Sequence, residues 1–125
     1  MNTKLCITIF TVMLYCSAAQ AYLTQVENAT SGTIKVRINL AKCKSIDLGE
    51  IKPGRTSKIA DTGACCFESI SVIGTDGPIK GLESGTVAPW GTGWQCFQNI
   101  HFKCYEAKTD GRTTHIGVSH RPLNK

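Results

Sequence analysis

A chain of 125 residues with 42% hydrophobic content, 18% charged content and a formal charge of +5 makes one small compact unit. It is too short for a dinucleotide-binding fold with a substrate domain or for a (β/α)8 barrel, which need roughly 200 residues or more. The apolar share argues against intrinsic disorder, and twelve glycines without a three-residue period argue against collagen.

The chain opens with a short basic segment, Met1 to Lys4, and an uncharged apolar run, Leu5 to Tyr15. Small residues follow, ending in Ala19-Gln20-Ala21. This order reads as a secretory signal peptide, residues 1–21, cut after Ala21. A membrane anchor is the alternative, since the stretch from Leu5 to Val26 carries no charge and is nominally long enough to span. Gln20, Thr24 and Gln25 weaken its second half. Cys16 follows Tyr15 rather than a small residue, which argues against a lipid-attachment site. Cleavage leaves residues 22–125 as a single secreted domain of 104 residues and net charge +4.

Export changes the meaning of the cysteines. Cys6 and Cys16 leave with the signal, and Cys43, Cys65, Cys66, Cys96 and Cys104 remain. In an oxidising compartment these five are disulfide partners rather than catalytic thiols. No pair has C-x-x-C spacing, so a thioredoxin-like redox site and a zinc ribbon are disfavoured. Two bridges are expected, with partners unassigned, and the odd thiol is available for a disulfide-linked dimer.

Strand signals dominate the chain after Ala21. Thr33 to Asn39 alternates, with Ile34, Val36 and Ile38 on one face and Lys35 and Arg37 on the other. Ile46 to Ile51 is a second strand, Lys52-Pro53-Gly54-Arg55 a turn, and Thr56 to Ala60 a short strand ended by Asp61-Thr62-Gly63. Cys65 to Ile73 is rich in β-branched and aromatic residues, and Gly74 to Pro78 ends it. Gly81 to Gly93 reads as irregular. Trp94 to Tyr105 alternates over twelve residues, with Trp94, Cys96, Gln98, Ile100, Phe102 and Cys104 on one face. In one continuous strand Cys96 and Cys104 lie about 26 Å apart, beyond disulfide reach. Asp110-Gly111 marks a hairpin turn into a last strand, Thr113 to Ser119. These spacings predict a disulfide-stabilised all-β fold, a small antiparallel β-sandwich, with a Greek-key barrel as runner-up.

For function, Ala88-Pro89-Trp90-Gly91-Thr92-Gly93-Trp94 stands out, because a glycine-rich turn between two tryptophans suits presentation of an indole to a partner. Trp94 is expected to open the long strand and join the core, leaving Trp90 as the exposed ring. Lys35 and Arg37 head a concentration of basic residues, with Lys42, Lys44, Lys52, Arg55 and Lys58. Interleaved acids and the lack of an RNP-type aromatic motif make nucleic acid an unfavoured partner. His101 should face solvent, opposite Ile100 and Phe102, and His115 and His120 do not share a face, so no metal site or cofactor is expected. There is no nucleophile elbow and no catalytic-cysteine signature. Asn28-Ala29-Thr30 matches an N-glycosylation sequon.

The expected activity is therefore secreted or periplasmic, non-enzymatic binding of a protein, glycan or membrane-surface partner. A membrane-active or toxin-like protein using the Trp-Gly loop is the alternative, and a small secreted hydrolase or enzyme inhibitor the third. Intact mass with and without reduction tests the covalent part. The expected outcome is a mass lacking residues 1–21 and a gain of two hydrogens per bridge on reduction; a mass for all 125 residues contradicts cleavage.

Overall fold

The computed structural model describes residues 22–123, so the expected signal peptide lies outside the described residues. The fold is a disulfide-stabilised all-β sandwich. Its strands are β1 (Leu23–Asn28), β2 (Ile34–Ala41), β3 (Ile46–Ile51), β4 (Ala60–Asp61), β5 (Cys66–Gly74), β6 (Glu83–Val87), β7 (Ile100–Thr109) and β8 (Arg112–Pro122), with one 3-10 turn at Gly77–Ile79. They form two separate four-stranded sheets, ordered β4-β1-β7-β8 and β3-β2-β5-β6, which makes a sandwich rather than the runner-up barrel. All pairings are antiparallel except β1 with β7, where Thr24 to Asn28 run beside Ile100 to Cys104 in parallel.

Alternation in β2 does what the sequence demands. Ile34, Val36 and Ile38 are buried and Lys35 and Arg37 exposed. They meet Phe67, Ile70 and Val72 of β5, Val26 of β1, Ile100, Phe102 and Cys104 of β7, and Ile116 of β8 between the sheets. Phe67 and Phe102 pack edge to face across the gap, with centroids 5.8 Å apart. The β7–β8 hairpin turns at Asp110 and Gly111, both with positive φ (53° and 78°), as an Asp-Gly turn requires. Gly54 (φ 75°) serves the Pro-Gly turn, where Arg55 N–H donates to Lys52 O at 3.1 Å.

Several expectations about strands need correction. Leu23–Asn28, which overlaps the uncharged stretch ending at Val26, is a strand inserted between β4 and β7. Glu83–Val87, read as irregular, is an edge strand carried by β5. The twelve-residue strand from Trp94 begins only at Ile100, because Cys96 is drawn to Cys66 and Gln95 pairs with Phe67, bending 94–99 away from the ladder. Of the segment Thr56 to Ala60, only a bridge at Thr56 and the start of β4 are extended pairings.

The end of the sandwich where β1 finishes is closed by Asn28, fully buried. Its Nδ2 donates to Gly32 O and Ile51 O, both at 2.8 Å, and its Oδ1 accepts from Thr30 N–H at 2.9 Å and Thr30 Oγ1 at 2.6 Å. Both amide hydrogens are used inside the protein, so this fold has no room for a glycan on Asn28, against the sequon reading. Nearby, Asp76 accepts from Thr33 N–H at 2.6 Å and Glu106 from Ser31 N–H at 2.7 Å, and those hydrogen bonds hold each carboxyl below its ordinary range. Depressed folded-state values make this contribution full above the ordinary carboxylate range and lost as pH falls from there through the lowered values.

Asn28→Ala removes the side-chain donor to Ile51 O and the acceptor for Thr30 N–H, and leaves Gly32 O with Thr30 Oγ1 alone of its two side-chain donors. It should lower unfolding free energy by about 2–4 kcal/mol in denaturant titration. A change below about 0.5 kcal/mol would show that water replaces the amide at no cost.

Candidate binding surface

The opposite end of the sandwich gathers the chemistry. Here lie the loop between β2 and β3 (42–45), the start of β1, the turn after β4, the start of β5 and the long loop 88–99 between β6 and β7. Two disulfides staple it, Cys43–Cys65 and Cys66–Cys96. Cys65 and Cys66 are neighbours, and successive extended residues point to opposite sides, so one sulfur reaches the 42–45 loop and the other the 88–99 loop. With sequence separations of 22 and 30, each bridge stabilises by roughly 3–4 kcal/mol in the chain-entropy picture.

Of the three non-glycine residues with left-handed backbone among the described residues, two sit beside these bridges: Lys42 (φ 59°) next to Cys43, and Phe97 (φ 55°) next to Cys96. For a bulky residue such as phenylalanine that conformation is uncommon and costs energy. The bridge holds it, and the ring that results is 62% exposed. Phe97 leans on half-buried Tyr22 at a centroid distance of 5.7 Å. Trp94 is 50% exposed in the same loop. Lys42 and Lys44 flank Cys43, both exposed. The end therefore presents two exposed aromatic rings and two lysines on a covalently fixed backbone.

The tryptophans exchange the places expected for them. Trp90 folds back over the core against Phe67 (6.4 Å) and Phe102 (6.2 Å) and meets His120 edge-on. Its Nε1–H donates to Gly93 O at 3.0 Å, closing a turn in which Gly91 and Gly93 both have positive φ. Trp94, freed from the expected strand, is the exposed one. The sequence alone singles out neither Phe97 nor Tyr22. Adjacency of Phe97 to Cys96 is the one signal it carries, but a continuous strand places that ring on an ordinary solvent face.

Lys35 and Arg37 lie elsewhere, on the outer face of the second sheet. With Asn39, Asp47, Ser71, Ile73, Glu83 and Thr86 they line a shallow depression of about 540 Å³. Each cation faces an acid on β3: Lys35 pairs in register with Glu50, and Arg37 approaches Asp47 at 3.9 Å. Beside them runs a polar ladder, Ser45 Oγ–H to Asn39 Oδ1, Asn39 Nδ2–H to Ser69 and Ser71 Oγ, and Ser71 Oγ to Thr86 Oγ1. Charge compensation removes the excess positive field that the linear sequence suggested.

His101 is not solvent-facing. It does point away from Ile100 and Phe102, but it is 5% exposed, its Nε2 is 3.1 Å from Glu27 Oε1, and its Nδ1 has no hydrogen-bond partner. None of its hydrogen bonds involves a cysteine. His115 and His120 are exposed on β8. Among the described residues, no three His, Cys, Asp or Glu side chains cluster as metal ligands. No helix among them is long and apolar enough to cross a membrane.

The odd thiol is Cys104, fully buried between the sheets. Burial pushes its pKa up to about 12. A thiol enclosed in this way is not presented at the surface for the disulfide-linked dimer that the odd count suggested. Comparison with known proteins finds no matching family model and no matching curated protein.

In the chain from Tyr22, Cys104 should resist a thiol reagent at pH 8 while folded and yield one reactive thiol when denaturant is added without reductant. Prompt labelling of the folded protein, or no thiol after unfolding, contradicts this arrangement.

Proposed function

We propose that this chain is an extracytoplasmic, non-enzymatic binding protein that meets its partner through the disulfide-stapled end. The observation that carries this reading is Phe97, a 62% exposed ring in a left-handed backbone conformation beside Cys96. Fixed aromatic rings lose little conformational entropy on binding, which is why they dominate contact surfaces. Export through a signal peptide, residues 1–21, supplies the oxidising compartment that two disulfides suit.

The arrangement of reactive groups supports a non-enzymatic role. Asp47 and Glu83, the carboxylates of the outer depression, stand on the two edge strands of a four-stranded sheet. Asp47 is engaged by Arg37 at 3.9 Å. Cys104, the free thiol, lies on the inner side of β7, away from His101 on the outer side.

A photo-crosslinking side chain tests the contact surface without knowledge of the ligand. Trp94→p-benzoylphenylalanine and Phe97→p-benzoylphenylalanine, made in cells that export the protein, should give covalent adducts, and the same change at Ile73 on the outer sheet face should give none. Adducts at Ile73 alone, or at no position, overturn the assignment.

A further inference from the structure

The stapled end combines a composition and a position that point to one kind of partner. Trp94 and Phe97 are the exposed rings, Tyr22 backs Phe97, and Lys42 and Lys44 are exposed cations in the loop that Cys43–Cys65 ties to the same end. The ion pairs among the described residues are Arg37–Asp47 and His101–Glu27, so neither lysine is engaged by an acid. The nearest acid along the chain, Asp47, is engaged by Arg37 at 3.9 Å. Aromatic rings with lysines that carry their charge on long apolar stems are the groups that settle at the boundary of lipid headgroups and acyl chains.

The groups suited to a saccharide are not here. The amide and hydroxyl ladder from Ser45 to Thr86 lies on the outer face of β3-β2-β5-β6, which lacks an exposed aromatic ring and has Arg37 paired with Asp47.

We infer that the stapled end seats on the surface of an anionic lipid bilayer, with Trp94 and Phe97 in the interfacial layer and Lys42 and Lys44 against phosphate. This rests on the stapled end being the contact surface. Each lysine near an anionic surface contributes about a fivefold factor in partitioning. That share weakens with salt, because the Debye length falls from about 30 Å at 0.01 M to about 3 Å at 1 M. The aromatic share does not.

The test is co-sedimentation of the exported protein with vesicles of phosphatidylcholine and phosphatidylglycerol, and with phosphatidylcholine alone. Binding to the anionic vesicles is expected. Lys42→Ala with Lys44→Ala should weaken it about 25-fold. Trp94→Ala with Phe97→Ala should weaken it at least about tenfold. Lys35→Ala with Arg37→Ala should leave it unchanged. Trp94→Ser alone repeats the aromatic arm with Phe97 intact, should the double variant unfold. No sedimentation with anionic vesicles overturns the inference, as does loss confined to the Lys35/Arg37 variant. Crosslinked adducts at 94 and 97 without vesicle binding leave the contact surface standing and overturn only its lipid partner. Failure of both experiments overturns both.

Discussion

The stapled end depends on a pair of adjacent residues. Cys65 and Cys66 project to opposite sides at the start of β5, and each closes a bridge to a different loop. Residues 42–45 are exposed, and 88–99 packs on the core through Trp90. The two bridges join both loops covalently to the start of β5, beside Phe67, against which Trp90 lids the core. The left-handed backbone at Lys42 and Phe97 is local strain that surrounding structure must overdetermine, and here that structure is covalent.

How legible each segment is depends on how strongly its own residues speak. β2 is read correctly because branched apolar residues alternate with cations, and the last hairpin because Asp-Gly admits few other turns. β1 is silent for the opposite reason. Its buried positions are Thr24, Val26 and Asn28, two of them polar and satisfied by hydrogen bonds to Ile100 O, Gly32 O and Ile51 O. β6 carries a glycine with positive φ and a register shift against β5, so its strand character comes from its neighbour. The segment 94–99 misleads because its alternation is real, but a disulfide outweighs it.

The candidate surface is legible only in part. The Trp-Gly loop is recognisable in the sequence, yet which indole it exposes depends on the bend that Cys66–Cys96 imposes. The basic residues of β2 are visible as charges, while the acids that offset them arrive through pairing with β3, a contact between residues about a dozen apart. Likewise His101 sits on the side of β7 that alternation assigns it, and only the packing of Glu27 beside it shows that the side is covered. Alternation gives the face; it does not say whether that face is dry.

The parallel pairing of β1 with β7 carries a consequence for how this chain reaches its final form. β1 occupies the middle of its sheet, between β4 and a strand that begins at Ile100. Until the last quarter of the chain has emerged, residues 23–28 lack one of their two neighbours, and Asn28 has no completed end of the sandwich to close. Closure of that sheet is thus a late event that joins the two extremities of the domain, and loop closure over so many residues is slow. A chain that emerges N-terminus first is kept from premature collapse by the same topology. The strand that leads the way is the one that cannot be placed until nearly everything else has arrived.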